Sequence, residues 1–345
     1  QKYRPVDADS LLPYREANDG QILQEGICEV GAMASFMAAG SAYSVHGLPM
    51  IPFYIFYSMF GFQRVGDMIW SCGDMMCKGF LLGGTAGRTT LNGEGLQHQD
   101  GHSHILASTV PSLLSYDPAF GYEVAVIVRE GMRRMYEEQE DIFYYLTLYN
   151  ENHLMPDMAE VLAVTDQTQE ALVQSILQGG YCFSRTSDAP AQIHLLSSGS
   201  IMQQVMAAAS QLEKMGFNVA IWSMTSFVEL QRQAMAVDRS NRDADATAKD
   251  QQVSNLEQMF AGQSGAFVAV TDYMASLALG IAAWMPEGYE VLGTDGFGLS
   301  ESRPALRAHF EVDAKTIVRV ALINLRRQAL MSDKTLSKHL QTVSE

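Results

Sequence analysis

Short apolar runs recur along this chain, and most are followed by a stretch whose apolar residues return at helical spacing. Pro49 to Tyr57, Gly79 to Gly84, Leu113 to Tyr116 and Ile142 to Tyr149 read as strands. Helical patterns lie around them. Gln21 to Tyr43 is rich in small residues, a second helix runs through Trp70, and a third places Val124, Ile127, Val128, Gly131 and Met135 on one face. Strand alternating with helix predicts an α/β fold, with mainly parallel sheets flanked by helices. The pattern loosens from Asn150 to Pro190 and restarts with Gln192 to Leu196, so two consecutive domains are expected. Residues 1–155 form the first, 156–190 connect them, and 191–345 form the second. Phe217 to Trp222, Ala266 to Thr271 and Glu290 to Leu292 supply further strands, and a last helix starts near Asp313. The polar run Asp238 to Gln252 reads as an exposed excursion.

With 47% apolar and 18% charged residues over 345, the chain can build a core in each domain. The formal net charge of −16 argues against nucleic acid and anionic membranes as partners. Met50 to Phe62 is the longest apolar stretch; it contains Pro52 and Ser58 and falls short of the about 18 residues a spanning helix needs. Cys28, Cys72, Cys77 and Cys182 show no framework or zinc spacing, so reduced thiols and a cytoplasmic location are expected.

Residues 87–104 cannot build a core. They combine His98, His102 and His104 with Glu94, Asp100 and four glycines, and lack apolar periodicity. Glycines allow close backbone approach, and imidazoles and carboxylates move protons or bind metal near neutral pH. The segment predicts a polar active-site rim. His98, His102 and His104 have the residue types of a metal set, but nothing identifies a fourth ligand. Glu29 stands on a helix with almost no other charge. It reads either as a sheltered acid with a raised pKa or as an ordinary helix-edge residue. Phe53, Tyr54, Phe56, Tyr57, Phe60 and Phe62 read either as core or as a wall for a flat heterocycle. Ser197 to Ser200 caps a helix or binds an anion, and Gly293 to Gly298 reads as a turn near a domain interface.

Several stretches together resemble the thiamine-diphosphate enzymes of the transketolase superfamily, and within it the homodimeric bacterial pyruvate dehydrogenases. They are QILQEGICE at 21–29, PMIPFYIFYSMFGFQR at 49–64, GRTTLNGEGLQH at 87–98, SYDPA at 115–119, LGTDGFG at 292–298 and HFEVDA at 309–314. The resemblance implies a pyrimidine-binding domain followed by a transketolase C-terminal-like domain. It implies that Glu29 protonates the cofactor's aminopyrimidine and that Ile27, Tyr57 and Phe60 line the cofactor pocket. His98 matches a histidine that contacts substrate, with Glu94 near the same entrance. The implied reaction is oxidative decarboxylation of pyruvate with transfer of the acetyl group to lipoamide on a dihydrolipoamide acyltransferase partner, in a homodimer using thiamine diphosphate and Mg2+.

The family pattern reads His-Glu-Asp-Gly-His where this chain has His98-Gln99-Asp100-Gly101-His102. Residues 238–263 also depart from it. The Gly-Asp-Gly motif that binds Mg2+ and diphosphate in the family is absent from this sequence, as is the first strand of the pyrimidine-binding domain. The expectation is therefore a chain that holds no metal and neither binds cofactor nor turns over alone. Three rivals stand beside this reading: the same chemistry on 2-oxobutyrate or another short 2-oxo acid, a metal-dependent hydrolase built on His98, His102 and His104, and a non-catalytic assembly chain.

Overall fold

A computed structural model describes residues 18–165, 167–243 and 251–344. The first domain holds a four-stranded parallel sheet of β1 (Phe53–Tyr57), β2 (Phe80–Gly84), β3 (Leu113–Tyr116) and β4 (Phe143–Thr147), in the order β1-β2-β4-β3. Its helices are α1 (Glu29–Val45), α2 (Ser58–Asp74), α3 (Ser103–Ala107) and α4 (Gly121–Met132). β4 is buried at all five positions, as expected of an inner parallel strand covered on both faces. β1 lies at an edge. Its side chains alternate, with Phe56 in the core and Phe53, Ile55 and Tyr57 exposed.

Next come α5 (Met158–Thr165), α6 (Gln169–Gln178) and β5 (Tyr181–Arg185). The second sheet continues with β6 (Ile193–Ser197), β7 (Val219–Ser223), β8 (Ala266–Val270) and β9 (Tyr289–Leu292), in the order β5-β7-β6-β8-β9. β5 is the antiparallel edge and the other pairs are parallel. The helices are α7 (Met202–Lys214), α8 (Phe227–Asp243), α9 (Asn255–Met259), α10 (Ala275–Leu279), α11 (Arg303–His309), α12 (Ala314–Arg327) and α13 (Asp333–Ser344). Among the described residues, no helix is long and apolar enough to cross a membrane.

The expected α/β class is observed, with three local corrections. The first helix begins at Glu29, not Gln21: Gly26 takes a positive φ of 66°, and the Cys28 side chain caps the helix by accepting from the Gly31 N–H. The stretch expected to be a bare connection carries two helices and a strand that completes the second sheet. Residues 238–243, expected to be an excursion, finish α8, where the Asp238 carboxylate accepts from Trp284 Nε1 at 3.0 Å. Of the rest of that run, residues 244–250 lie outside the described ones.

Buried carboxylates join the domains. Glu123 of α4 accepts from Tyr181 and Ser223 of the second sheet, each at 2.6 Å. Asp117, just after β3, accepts from Ser198 at 2.6 Å. Glu229 of α8 accepts from the Ser115 N–H at 3.3 Å. Burial raises the pKa of Glu123 and of Glu229, and hydrogen bonds to each oppose that rise. Ser198 therefore binds a carboxylate of the other domain. Ser200 contacts Thr90, and Ser197 donates to the Val270 carbonyl at 2.9 Å. These serines tie elements together, and the N-cap of α7 carries no side-chain cap.

Candidate active site

The carboxyl ends of β1 and β2 face the same side of the first sheet, where α/β proteins place their ligands. α2 follows β1 directly and brings Phe60, Gln63 and Arg64 to this end. The segment 87–104 follows β2 and brings Glu94 and His98. Glu29 arrives separately, as the first residue of α1. There the helix N-terminus favours its negative charge.

Contacts join these side chains into one cluster. Arg64 Nη1 donates to Glu29 Oε1 at 2.6 Å, and the Arg64 guanidinium lies 4.0 Å from the centre of the Phe60 ring. Phe60 meets the His98 ring edge-on at 4.9 Å, and Tyr57 does so at 5.4 Å. His98 Nδ1 lies 3.4 Å from Glu94 Oε2, close but outside hydrogen-bond geometry. The Glu29 side chain is 18% exposed. Behind it the Tyr54 phenol is pushed up to about 12, first by burial and then by the Glu29 charge.

The structure thus brings Glu29, Tyr57, Phe60, Glu94 and His98 together. Glu29 is sheltered, but not as an isolated charge: Arg64 is its counter-ion. Helical periodicity within α1 carries no sign of a partner 35 residues away on α2. Ile27 is 99% exposed and is covered by none of the described residues. The aromatic run divides between both readings, with Phe56 and Phe62 in the core and Tyr57 and Phe60 at the site.

The three histidines do not form a metal set. His104 is buried between Ser115 Oγ, 2.6 Å from Nδ1, and Thr147 Oγ1, 2.9 Å from Nε2. Burial lowers its pKa, so it serves as a neutral structural imidazole. His102 pairs with Gln63 at 2.6 Å. Among the described residues, no group of three or more His, Cys, Asp or Glu side chains can hold a metal ion. The hydrolase reading is set aside because its proposed ligands face different partners.

Sequence reasoning missed Asp272 and the part played by Arg88, and it read Gln99 only as a departure from the family pattern. Asp272 is fully buried and accepts from the Thr89 N–H at 2.9 Å, Thr89 Oγ1 at 2.7 Å and Thr90 Oγ1 at 2.8 Å. Burial pushes its pKa up to about 6 against those bonds. Arg88 is buried and donates to the Thr294 carbonyl at 2.5 Å and to that of Gly296. Gly293 to Gly298 does lie at the domain interface. A buried-looking Thr-Thr pair beside arginine was the available signal, but its partners lie about 180 to 210 residues away in sequence, beyond the reach of local pattern.

Comparison with known proteins supports this architecture. Solved transketolases share the fold: the enzyme from Leishmania mexicana aligns with a TM-score of 0.62 at 16% identity, covering 88% of this chain and 37% of that one. A split-gene transketolase, described as an inactive beta4 tetramer, aligns with a TM-score of 0.61 at 15% identity, covering 87% of this chain and 83% of its own. The class is thus a transketolase-like α/β chain. Residues 1–156 match the pyruvate dehydrogenase E1 component middle domain, and residues 179–313 match the transketolase-like C-terminal domain. The chain belongs to the pyruvate dehydrogenase E1 component family. It is 50% identical over 325 residues to the pyruvate dehydrogenase E1 component of Pseudomonas aeruginosa, covering 93% of this chain and 36% of the relative. To that of Escherichia coli K12 it is 46% identical over 340 residues, covering 98% and 37%. It spans about a third of the length of the curated relatives it matches.

Proposed function

We propose that this chain supplies the glutamate-bearing part of a thiamine-diphosphate site that decarboxylates pyruvate and passes the acetyl group to lipoamide. The observation that carries this reading is the cluster itself. A carboxylate at a helix N-terminus, 18% exposed, adjoins an aromatic surface and a histidine. The residues fit the cofactor. A ring nitrogen that must share a proton needs a sheltered acid, and a flat heterocycle needs apolar faces. Arg64 holds Glu29 Oε1, while Oε2 makes no hydrogen bond among the described residues. Thiamine diphosphate, when bound, supplies a carbon nucleophile for the 2-oxo carbon and an electron sink for the charge left by CO2.

The chain's own residues have definite tasks. Glu29, held by Arg64 at Oε1, offers Oε2 to the pyrimidine ring as the oxygen that would share a proton with the ring nitrogen. Tyr57 and Phe60 present ring faces that exclude water and fix the orientation of the cofactor. His98 offers a ring nitrogen to the substrate oxygens, and Glu94 biases the orientation of that imidazole. Diphosphate and Mg2+ are expected on residues outside this chain, with pyruvate and a lipoyl-bearing acyltransferase as partners and a homodimer as the assembly. We propose that the chain alone neither binds the cofactor tightly nor turns over.

Two experiments test the proposal. Titration of the chain with thiamine diphosphate and Mg2+ should give no tight binding. Combined with the Gly-Asp-Gly-bearing part of a family enzyme, it should decarboxylate 2-oxo acids, with pyruvate preferred over 2-oxobutyrate. Glu29→Gln should lower that turnover at least 100-fold, the lower end of what a general acid–base group contributes. Tight binding by the isolated chain would refute its incompleteness, and full activity of the Glu29→Gln assembly would refute the role of Glu29.

A further inference from the structure

The rim that carries Glu94 and His98 has no regular structure of its own between β2 and α3. Its shape is held largely from the second domain. The Gly93 N–H donates to the Glu301 carbonyl at 3.1 Å, and Ser300 Oγ donates back to the Gly93 carbonyl at 2.6 Å. Arg303 Nε donates to the Thr90 carbonyl at 2.6 Å. Beside His98, Gln99 is 1% exposed and uses both ends of its carboxamide: Nε2 donates to the Leu91 carbonyl at 2.6 Å, and Oε1 accepts from the Leu299 N–H at 2.7 Å.

We propose that residues 294–303 of the second domain are a positioning element for His98, and that Gln99 is the contact through which they act. In this chain, where the family pattern has glutamate, a carboxamide with a donor and an acceptor on one planar head satisfies both backbone groups. A carboxylate in its place would set a second acceptor 2.6 Å from the Leu91 oxygen. Gly298 allows the approach: a Cβ there would lie 2.8 Å from Gln99 Cβ and overlap Gln99 Oε1. Because Gln99 follows His98 directly, its anchoring sets the direction in which the imidazole leaves the backbone, toward the edges of Tyr57 and Phe60. The second domain thereby bears on the site through the backbone of the rim, without touching substrate.

The meaning for catalysis rests on the role proposed for His98; the contact itself does not. The test is therefore spectroscopic, on the full chain without cofactor. The rings of Tyr57 and Phe60 displace the carbon-bound proton signals of His98. Gln99→Leu removes both hydrogen bonds at similar volume, Gln99→Glu removes the donor at neutral pH, and Ser300→Ala removes an exposed tie to Gly93. We expect the Gln99 variants to return the His98 signals toward free-imidazole positions, and Ser300→Ala to do so in part. Signals of His104 and His194, buried elsewhere, should stay in place. Hydrogen exchange at the Gly93 and His98 amides should accelerate about tenfold in Gln99→Leu, as expected when such bonds are lost. Unmoved His98 signals in folded Gln99→Glu and Ser300→Ala would overturn the proposal, even if Gln99→Leu fails to fold. A failure of decarboxylation assays with these signals shifted would count against the proposed function alone.

Discussion

Replacing Asp272 by asparagine should make the chain more stable at pH 8, relative to the parent, than at pH 5. The native carboxylate sits in the domain interface with three donors, and an asparagine keeps Oδ1 for the Thr89 N–H and Oγ1. Thr90 Oγ1, which also contacts Ser200, can turn its hydroxyl and accept from the new amide. What the substitution removes is a buried charge. Burial raises the folded pKa from 3.8 to about 6. A carboxyl raised in this way contributes stability that is complete below pH 3.8 and is lost as pH rises through about 6. The whole effect is about 3 kcal/mol, and about a third to a half of it falls between pH 5 and pH 8. Other groups titrate alike in both chains and cancel in the difference. Urea unfolding followed by tryptophan fluorescence should show the stability of Asp272→Asn minus that of the parent rising by about 1 kcal/mol over this interval. A flat difference, or one that falls with pH, would show that Asp272 is not held against its charge, and the reasoning from burial would fail.

Two further substitutions or titrations probe the fold that carries the site. Gly40 lies inside α1 with the Lys78 carbonyl only 2.8 Å from where a Cβ would stand. Gly40→Ala should therefore lower the unfolding temperature, at a cost of about 1 to 3 kcal/mol, although alanine favours an unconstrained helix by about 1 kcal/mol. His194 should stay neutral until pH falls to about 4, because burial first of all lowers its pKa. Nitrogen-detected NMR should show its proton on Nε2, facing the Ser264 carbonyl, while Nδ1 accepts from Trp222 at 3.3 Å. Its folded pKa lies below the ordinary value of 6.5, so its contribution to stability is present above pH 6.5 and fades as pH drops toward 4. Protonation of His194 near pH 6.5 in the folded chain would contradict that burial.

Much of the fold was legible because β4, β6, β7 and β8 are buried at every position and β1 alternates, and periodicity reports burial directly. β4 was plain from its run of β-formers, and α12 from Ile317, Val320, Ala321 and Leu325. Where the reading slipped, local chemistry decided. Gly26 and the Cys28 cap delayed α1, and α5 and α6 are short amphipathic helices in a stretch whose composition looked loose. For the site, residue type alone marked Glu29, Glu94 and His98 as candidates, and it equally marked His102 and His104. Only their partners separated them: His104 is locked between two hydroxyls, whereas His98 meets aromatic edges.

The order of residues determined by itself the α/β class and the residue types able to move protons, because these follow from spacing and intrinsic chemistry. Tertiary structure decided the rest. Arg64 reaches Glu29 from the next helix, Asp272 and Leu299 hold the polar rim from across the domain interface, and three neighbouring histidines part company. The physical reason is range. Hydrophobic period is a property of adjacent residues, whereas a hydrogen bond or ion pair depends on distances of a few ångströms that chain folding alone creates.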